Sequence, residues 1–153
     1  MELTTREDIE APIDFVFDQV TDFATFERSV MRRGADVERL EQGDTDGLGA
    51  KWRVKFLMRG VERKITGHVT KADRPHGMDI TMTSKNADGV LHVELVALSR
   101  ARTRLNVRFE AVAKSIPAKL LFQSLKFARQ KTQGRFSAAV GTFAEDVEKR
   151  YRA

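Results

Sequence analysis

Ser115–Tyr151, SIPAKLLFQSLKFARQKTQGRFSAAVGTFAEDVEKRY, is the stretch whose reading decides the fold. Leu121, Leu125, Ala128, Thr132, Phe136, Ala139, Phe143 and Val147 recur three or four apart, the spacing that lines one face of a 3.6-residue helix. At ~1.5 Å per residue the pattern predicts a rod of roughly 50 Å. No helical pattern of comparable length exists elsewhere in the chain to receive this stripe. The rod must therefore lie on strands, which predicts a sheet holding a helix with sheltered apolar space between them.

The residues before it read mainly as strands. Leu3, Thr5, Glu7 and Ile9 alternate with Glu2, Thr4, Arg6 and Asp8, a period of two. Ala11-Pro12 stops that strand, and proline suits the first turn of a helix. Ile13, Val16, Phe17 and Val20 form a short helical face. Asp22 is placed to cap a second short helix carrying Phe23, Phe26 and Val30, which Gly34 ends. A meander follows: residues 35–42, then Lys51–Met58 after the turn-rich Gly43-Asp44-Thr45-Asp46-Gly47, then a strand opening on Val61, Ile65 and Val69. Arg74-Pro75-His76-Gly77 is a turn before Met78, Ile80 and Met82. Asn86-Ala87-Asp88-Gly89 reads as a hairpin turn through its Asp-Gly pair. Val90–Ser99 and Thr103–Ala113 complete the set. Strands joined by such short turns are antiparallel, because parallel neighbours need long crossovers. The prediction is one α+β domain over residues 1–153: about seven strands in a curved antiparallel sheet, two short helices after the first strand, and a long C-terminal helix across the sheet.

Ile9-Glu10-Ala11-Pro12-Ile13-Asp14-Phe15-Val16-Phe17, followed by Val20-Thr21-Asp22-Phe23 and Phe26, resembles the opening of START-like domains, the SRPBCC or polyketide cyclase/dehydrase group. The element order is similar over essentially the whole chain, although only this opening carries a motif. The resemblance implies a helix-grip fold around an elongated apolar cavity. It also implies a ligand drawn from lipids, sterols, polyketides, hormones or quinones, with a minority of members catalysing cyclisation or dehydration. No single catalytic motif unites the group, so no active residue is carried over.

The alternation itself nominates cavity walls. Trp52, Val54, Phe56, Met58, Ile65, Met82 and Phe109 are expected on the covered face of the sheet, with Leu125 and Phe136 facing them from the helix. Methionine adapts to irregular ligands but is equally ordinary core filler. The Trp52 indole N–H needs an acceptor if it is buried. Two ionisable residues share the inward parity, Arg63 and Glu7, and a buried charge needs a partner or water. Two readings stay open for them. Arg63 binds a ligand carboxylate, phenolate or carbonyl with Glu7 as polar end or general base, or both belong to a frayed strand end or a rim ion pair.

Composition excludes several chemistries. Without cysteine there is no disulfide, thiolate nucleophile or cysteine metal ligand. His68, His76 and His92 lack ligand spacing, His92-Val93-Glu94 lacks the cysteines a zinc deaminase needs, and Asp44-Thr45-Asp46-Gly47 lacks the closing glutamate of a calcium loop. No metal and no cofactor is expected. The first ten residues contain no apolar secretion core and no run approaches the ~20 residues of a membrane span, so a cytoplasmic protein is expected.

The net charge of +5 is unevenly spread. Ten bases and one acid, Glu110, lie between Arg100 and Arg135, whereas Asp36–Asp46 holds five acids against Arg39. This is either a solvated face or an attraction to anionic partners. In Ile116–Phe127 the apolar residues Leu120, Leu121, Phe122, Leu125 and Phe127 spread around the helix with Lys119 and Lys126 among them. That pattern fits packing on loops or a second subunit, or an amphipathic interfacial helix in transient contact with an anionic membrane. A bend at Gly134 would make residues 116–130 a lid over one cavity mouth. Nucleic acid is not an expected partner, since reading by stacking would need Trp52 or Phe56 on an open sheet. The oligomeric state is not legible. The functional expectation is binding of a small hydrophobic ligand, such as a lipid, quinone or polyketide-like molecule, in a cavity between sheet and C-terminal helix. The alternative is a cofactor-free cyclase or dehydratase acting on an aromatic or polyketide-like substrate in the same space.

Overall fold

The computed structural model describes all 153 residues. Seven strands form one antiparallel sheet in the order β1-β7-β6-β5-β4-β3-β2. These are β1 (Glu2–Ile9), β2 (Asp36–Glu41), β3 (Lys51–Met58), β4 (Val61–Asp73), β5 (Gly77–Ser84), β6 (Ala87–Ser99) and β7 (Arg102–Ala113). Between β1 and β2 lie α1 (Ile13–Val20) and α2 (Phe23–Arg32). The chain ends in α3 (Ile116–Phe127) and α4 (Arg129–Arg152). This is the helix-grip architecture. β1 pairs with β7, so the first strand closes one side of a meander that the chain otherwise builds in order.

Local chemistry fixes the element ends. Asp22 accepts hydrogen bonds from the Thr25 backbone N–H and hydroxyl at the start of α2, and Ser115 accepts from the Ala118 N–H at the start of α3. Arg59 and Gly60 both adopt positive φ, 53° and 77°, the two-residue turn whose twist matches a hairpin, and it joins Met58 to Val61. The Asp44 carboxylate accepts from the N–H groups of Asp46 and Leu48, and Arg74 ties that acidic loop down by bonding both Asp46 and Asp18.

Two expectations are corrected. Asp88-Gly89 is not the hairpin turn. Lys85 and Asn86 make the turn, and Asp88 and Gly89 pair with Thr83 and Met82 inside the sheet. The glycine is there because the Phe109 ring crosses it: a Cβ would lie 3.1 Å from that ring and from the Glu110 carbonyl oxygen. The C-terminal rod is also not continuous. It breaks at Ala128 (φ −100°, ψ 32°), while Gly134 sits inside an unbroken α4. Residues 126–131 are all exposed, so no packing holds the helix straight at the break.

The core is one cluster that includes Ile9, Val16, Phe17, Val69, Leu95, Leu105 and Val147. α1 packs on β6 and β7, and α4 packs chiefly on β1. Ala144 and Val147 are buried there and Gly141 meets Glu7, so small residues bring α4 close to the strands. α2 is different. None of its residues is fully buried, and it stands over the β2 side of the sheet on Phe23 and Phe26. That difference in stand-off is what leaves a cavity.

Candidate ligand-binding site

The inner face of the sheet follows from the register. Val37 pairs with Val54, Val54 with Ile65, Trp52 with Gly67, Gly67 with Met82, and Ile80 with both Val69 and Leu91, so alternate residues of β2–β6 point to one side. Above them, Val20 at the end of α1 and Phe23, Phe26, Glu27 and Val30 of α2 complete an apolar cavity of about 280 Å³. Phe23, Phe26 and Val30 come to one face through spacings of three and four. At the bottom of the aromatic cluster Gly47 is obligatory: its φ is +92° and a Cβ would lie 2.9 Å from the Phe23 ring. On the opposite side Phe26 stacks on Phe143 of α4, with ring centroids 5.6 Å apart.

One charged residue belongs to the wall, and its charge is fully engaged. Glu27 Oε2 accepts from Arg39 Nε at 2.9 Å and from Trp52 Nε1 at 3.1 Å, and Oε1 accepts from Arg39 Nη2 at 2.6 Å. The Arg39 bond, reinforced by its charge and by the indole N–H, holds the Glu27 carboxyl below the usual glutamate range against the opposing effect of burial. The Arg39 guanidinium lies 5.6 Å from the Phe23 ring centroid and 5.7 Å from that of Trp52. Phe23 meets Trp52 edge-on at 4.8 Å. The group therefore acts as a clamp that fixes α2 to β2 and β3 and turns only carbon toward the cavity. With its oxygens committed and its proton held off, Glu27 is poorly suited to moving protons.

Of the residues expected to line a cavity, Trp52, Val54, Ile65 and Met82 do so together. Phe56, Met58, Arg63, Phe109, Leu125 and Phe136 are not among its lining residues. Phe109 covers Gly89, Phe136 packs on the core, and Leu125 lines a separate groove with Met1, Leu3, Lys126 and Arg129. The apolar cavity thus lies under α2, and none of its lining residues comes from α3 or α4. Arg63 pairs with Phe56 one inward position beyond Ile65. Its Nε is buried with no hydrogen-bond partner, and it makes no ion pair. Glu7 lies under α4 against Gly141, away from the cavity.

Residue patterns missed most of the helical side of the wall. Phe23, Phe26 and Val30 were legible as an apolar face, but nothing in their spacing says that the face stands off from the sheet. The one usable signal for the clamp was Trp52, whose buried N–H required an acceptor.

Comparison with known proteins agrees with this architecture. The family model described as polyketide cyclase/dehydrase and lipid transport matches residues 1–148. Among solved structures, the Zhui aromatase/cyclase from Streptomyces sp. R1128 superposes with a TM-score of 0.73 at 16% identity, covering 100% of this chain and 96% of its own. A conserved protein from Geobacillus kaustophilus gives 0.67 at 12% identity (99% and 95% covered), and a START superfamily protein from Mycobacterium smegmatis gives 0.58 at 15% (88% and 95% covered). At these identities the likeness is one of fold. No curated protein matches the sequence. No helix is long and apolar enough to cross a membrane.

Proposed function

The chain belongs to the polyketide cyclase/dehydrase and lipid transport family, and from that premise we propose that it is a cytosolic binder of one small hydrophobic molecule held between α2 and the sheet. The observation that carries this reading is the cavity wall: 12 of 14 lining residues are hydrophobic, one of the others is Gly67, and the last, Glu27, has its carboxylate engaged by Arg39 and Trp52. Space of about 280 Å³ is near the lower end of ligand pockets, which suits a compact ring system or a short acyl segment better than a whole phospholipid. A quinone or polyketide-like molecule fits that description. A transport role would add transient contact with an anionic membrane to this binding step. Native mass spectrometry of protein purified from its own host tests the proposal. A retained apolar molecule, released on denaturation, is expected. Protein that stays empty and takes up no apolar probe would remove the reading.

A second reading is supported by Arg63. A guanidinium Nε buried without a partner on the inner face, beside the Ile65 end of the cavity, is suited to hold a ligand carbonyl or phenolate oxygen. A cation so placed would stabilise negative charge developing on a substrate oxygen, one way a cofactor-free cyclase or dehydratase can work, and the Zhui neighbour is an aromatase/cyclase. Turnover of a polyketide-like substrate that disappears in Arg63→Met would favour the enzyme. Unchanged ligand affinity in that variant would remove Arg63 from the site under either reading.

A further inference from the structure

α3 is apolar on two opposite faces. Ala118, Leu121, Phe122 and Leu125 form the stripe that turns toward the protein, with Ala118 buried and the other three half-buried. Ile116, Leu120 and Phe127 fall within a narrow sector on the reverse side, because steps of four and seven residues return to nearly the same direction at ~100° per residue. They are 73%, 60% and 95% exposed. Phe127 stands at the break between α3 and α4, so it projects from a corner rather than from the flank of a rod. Lys119 and Lys126 border this outward stripe along one side of the helix, and Arg129 follows directly after the break. Between Lys114 and Arg135 there are six bases and no acid.

We propose that this outward face of α3 docks on an anionic phospholipid surface, with Ile116, Leu120 and Phe127 entering the acyl boundary and Lys119, Lys126 and Arg129 remaining among the headgroups. A helix with bulky apolar groups on one face and lysines at its border lies in the interface plane in this way, and each basic side chain near an anionic leaflet adds attraction. A protein partner is disfavoured by size and charge. A specific interface buries roughly 800 Å² on each side, far more than three side chains on one 12-residue helix supply, and it needs matched shape that a bilayer does not. The docking face is separate from the cavity wall, since no residue of α3 lines the cavity. Docking therefore stands or falls independently of ligand binding.

Co-sedimentation of the full chain with vesicles of phosphatidylcholine and phosphatidylserine (3:1) tests the proposal against pure phosphatidylcholine vesicles. Binding is expected to the anionic vesicles in low salt, to fall steeply in 0.5 M NaCl, and to be negligible on the neutral ones. Leu120→Ser/Phe127→Ser should weaken it by about tenfold or more, and Lys119→Glu/Lys126→Glu by roughly fivefold or more per lysine, with circular dichroism and melting unchanged in both. No binding to anionic vesicles at low salt would overturn the proposal, as would equal binding to neutral vesicles or undiminished binding by both variants. A wild-type dimer in light scattering that Leu120→Ser/Phe127→Ser dissociates would assign the face to a second copy of the chain and equally overturn it.

Discussion

Glu27 holds together groups that its removal would strand. Its carboxylate takes two bonds from Arg39 and one from the Trp52 indole, in surroundings where the two charged side chains are less than one-fifth exposed. Glu27→Ala leaves a guanidinium and an indole N–H facing an apolar wall. Charge-assisted bonds in such a place contribute more than exposed pairs, yet partial solvent access screens them, so a loss of about 1–2 kcal/mol is expected by urea denaturation. The pH dependence has a definite sign. Because the folded carboxyl is held below its ordinary value of 4.5, its stabilisation is fully present above that value and is lost as the pH falls below it through the lower folded value. The wild type should thus lose its stability advantage over Glu27→Gln progressively as the pH is lowered through and below that ordinary value. A constant difference as the pH falls would show that residue 27 does not titrate with folding. Gly77 makes a purely steric case. Its φ is +153° and a Cβ would sit 2.1 Å from the Val93 carbonyl oxygen, so Gly77→Ala should cost about 2–4 kcal/mol in the same measurement.

Among the elements, α2 supplies most of the helical roof of the cavity. It buries no residue completely, and besides the Glu27 clamp its anchorage includes the Phe26–Phe143 stack. Movement of α2 is therefore the route by which a ligand reaches the cavity with least disruption of the core. Aromatic pairs contribute about 0.5–1.5 kcal/mol beyond burial, so Phe26→Ala should raise amide exchange in α2 by roughly two- to tenfold while β6 and β7 keep their protection. Exchange that rises equally in α2 and the central strands would point to global destabilisation instead of local opening. The elements also show what a sequence can carry. Strand parity placed Trp52, Val54, Ile65 and Met82 on one face, because period two is a local property of the backbone. The stand-off of α2 and the break at Ala128 were not legible, because each depends on what lies across from a residue and not on its neighbours in sequence. Phe109 shows the same limit: its parity was right, but Gly89, diagonal to it on β6, lets the ring lie over the strand as sheet cover instead of cavity wall.

At the scale of the whole molecule, two helical contacts of different closeness shape the interior. α4 meets β1 through Gly141, Ala144 and Val147 and leaves no lining residue in the cavity, whereas α2 is propped on aromatic rings and roofs it. Gly67 sits on the cavity wall with an ordinary strand backbone, and a Cβ there would meet only the Trp52 ring, at 3.7 Å. A large side chain at this position would project into the empty space without displacing the core. Gly67→Phe should therefore fill the cavity and leave stability unchanged or raised, as cavity-filling substitutions commonly do. Fluorescence titration with the neutral apolar probe N-phenyl-1-naphthylamine, run on both proteins beside their melting curves, is the most direct test. The wild type should bind the probe saturably, and a Gly67→Phe variant that melts no lower should bind it at least tenfold more weakly. Absence of saturable binding in the wild type, or equal affinity in a folded Gly67→Phe, would contradict a ligand site in this cavity.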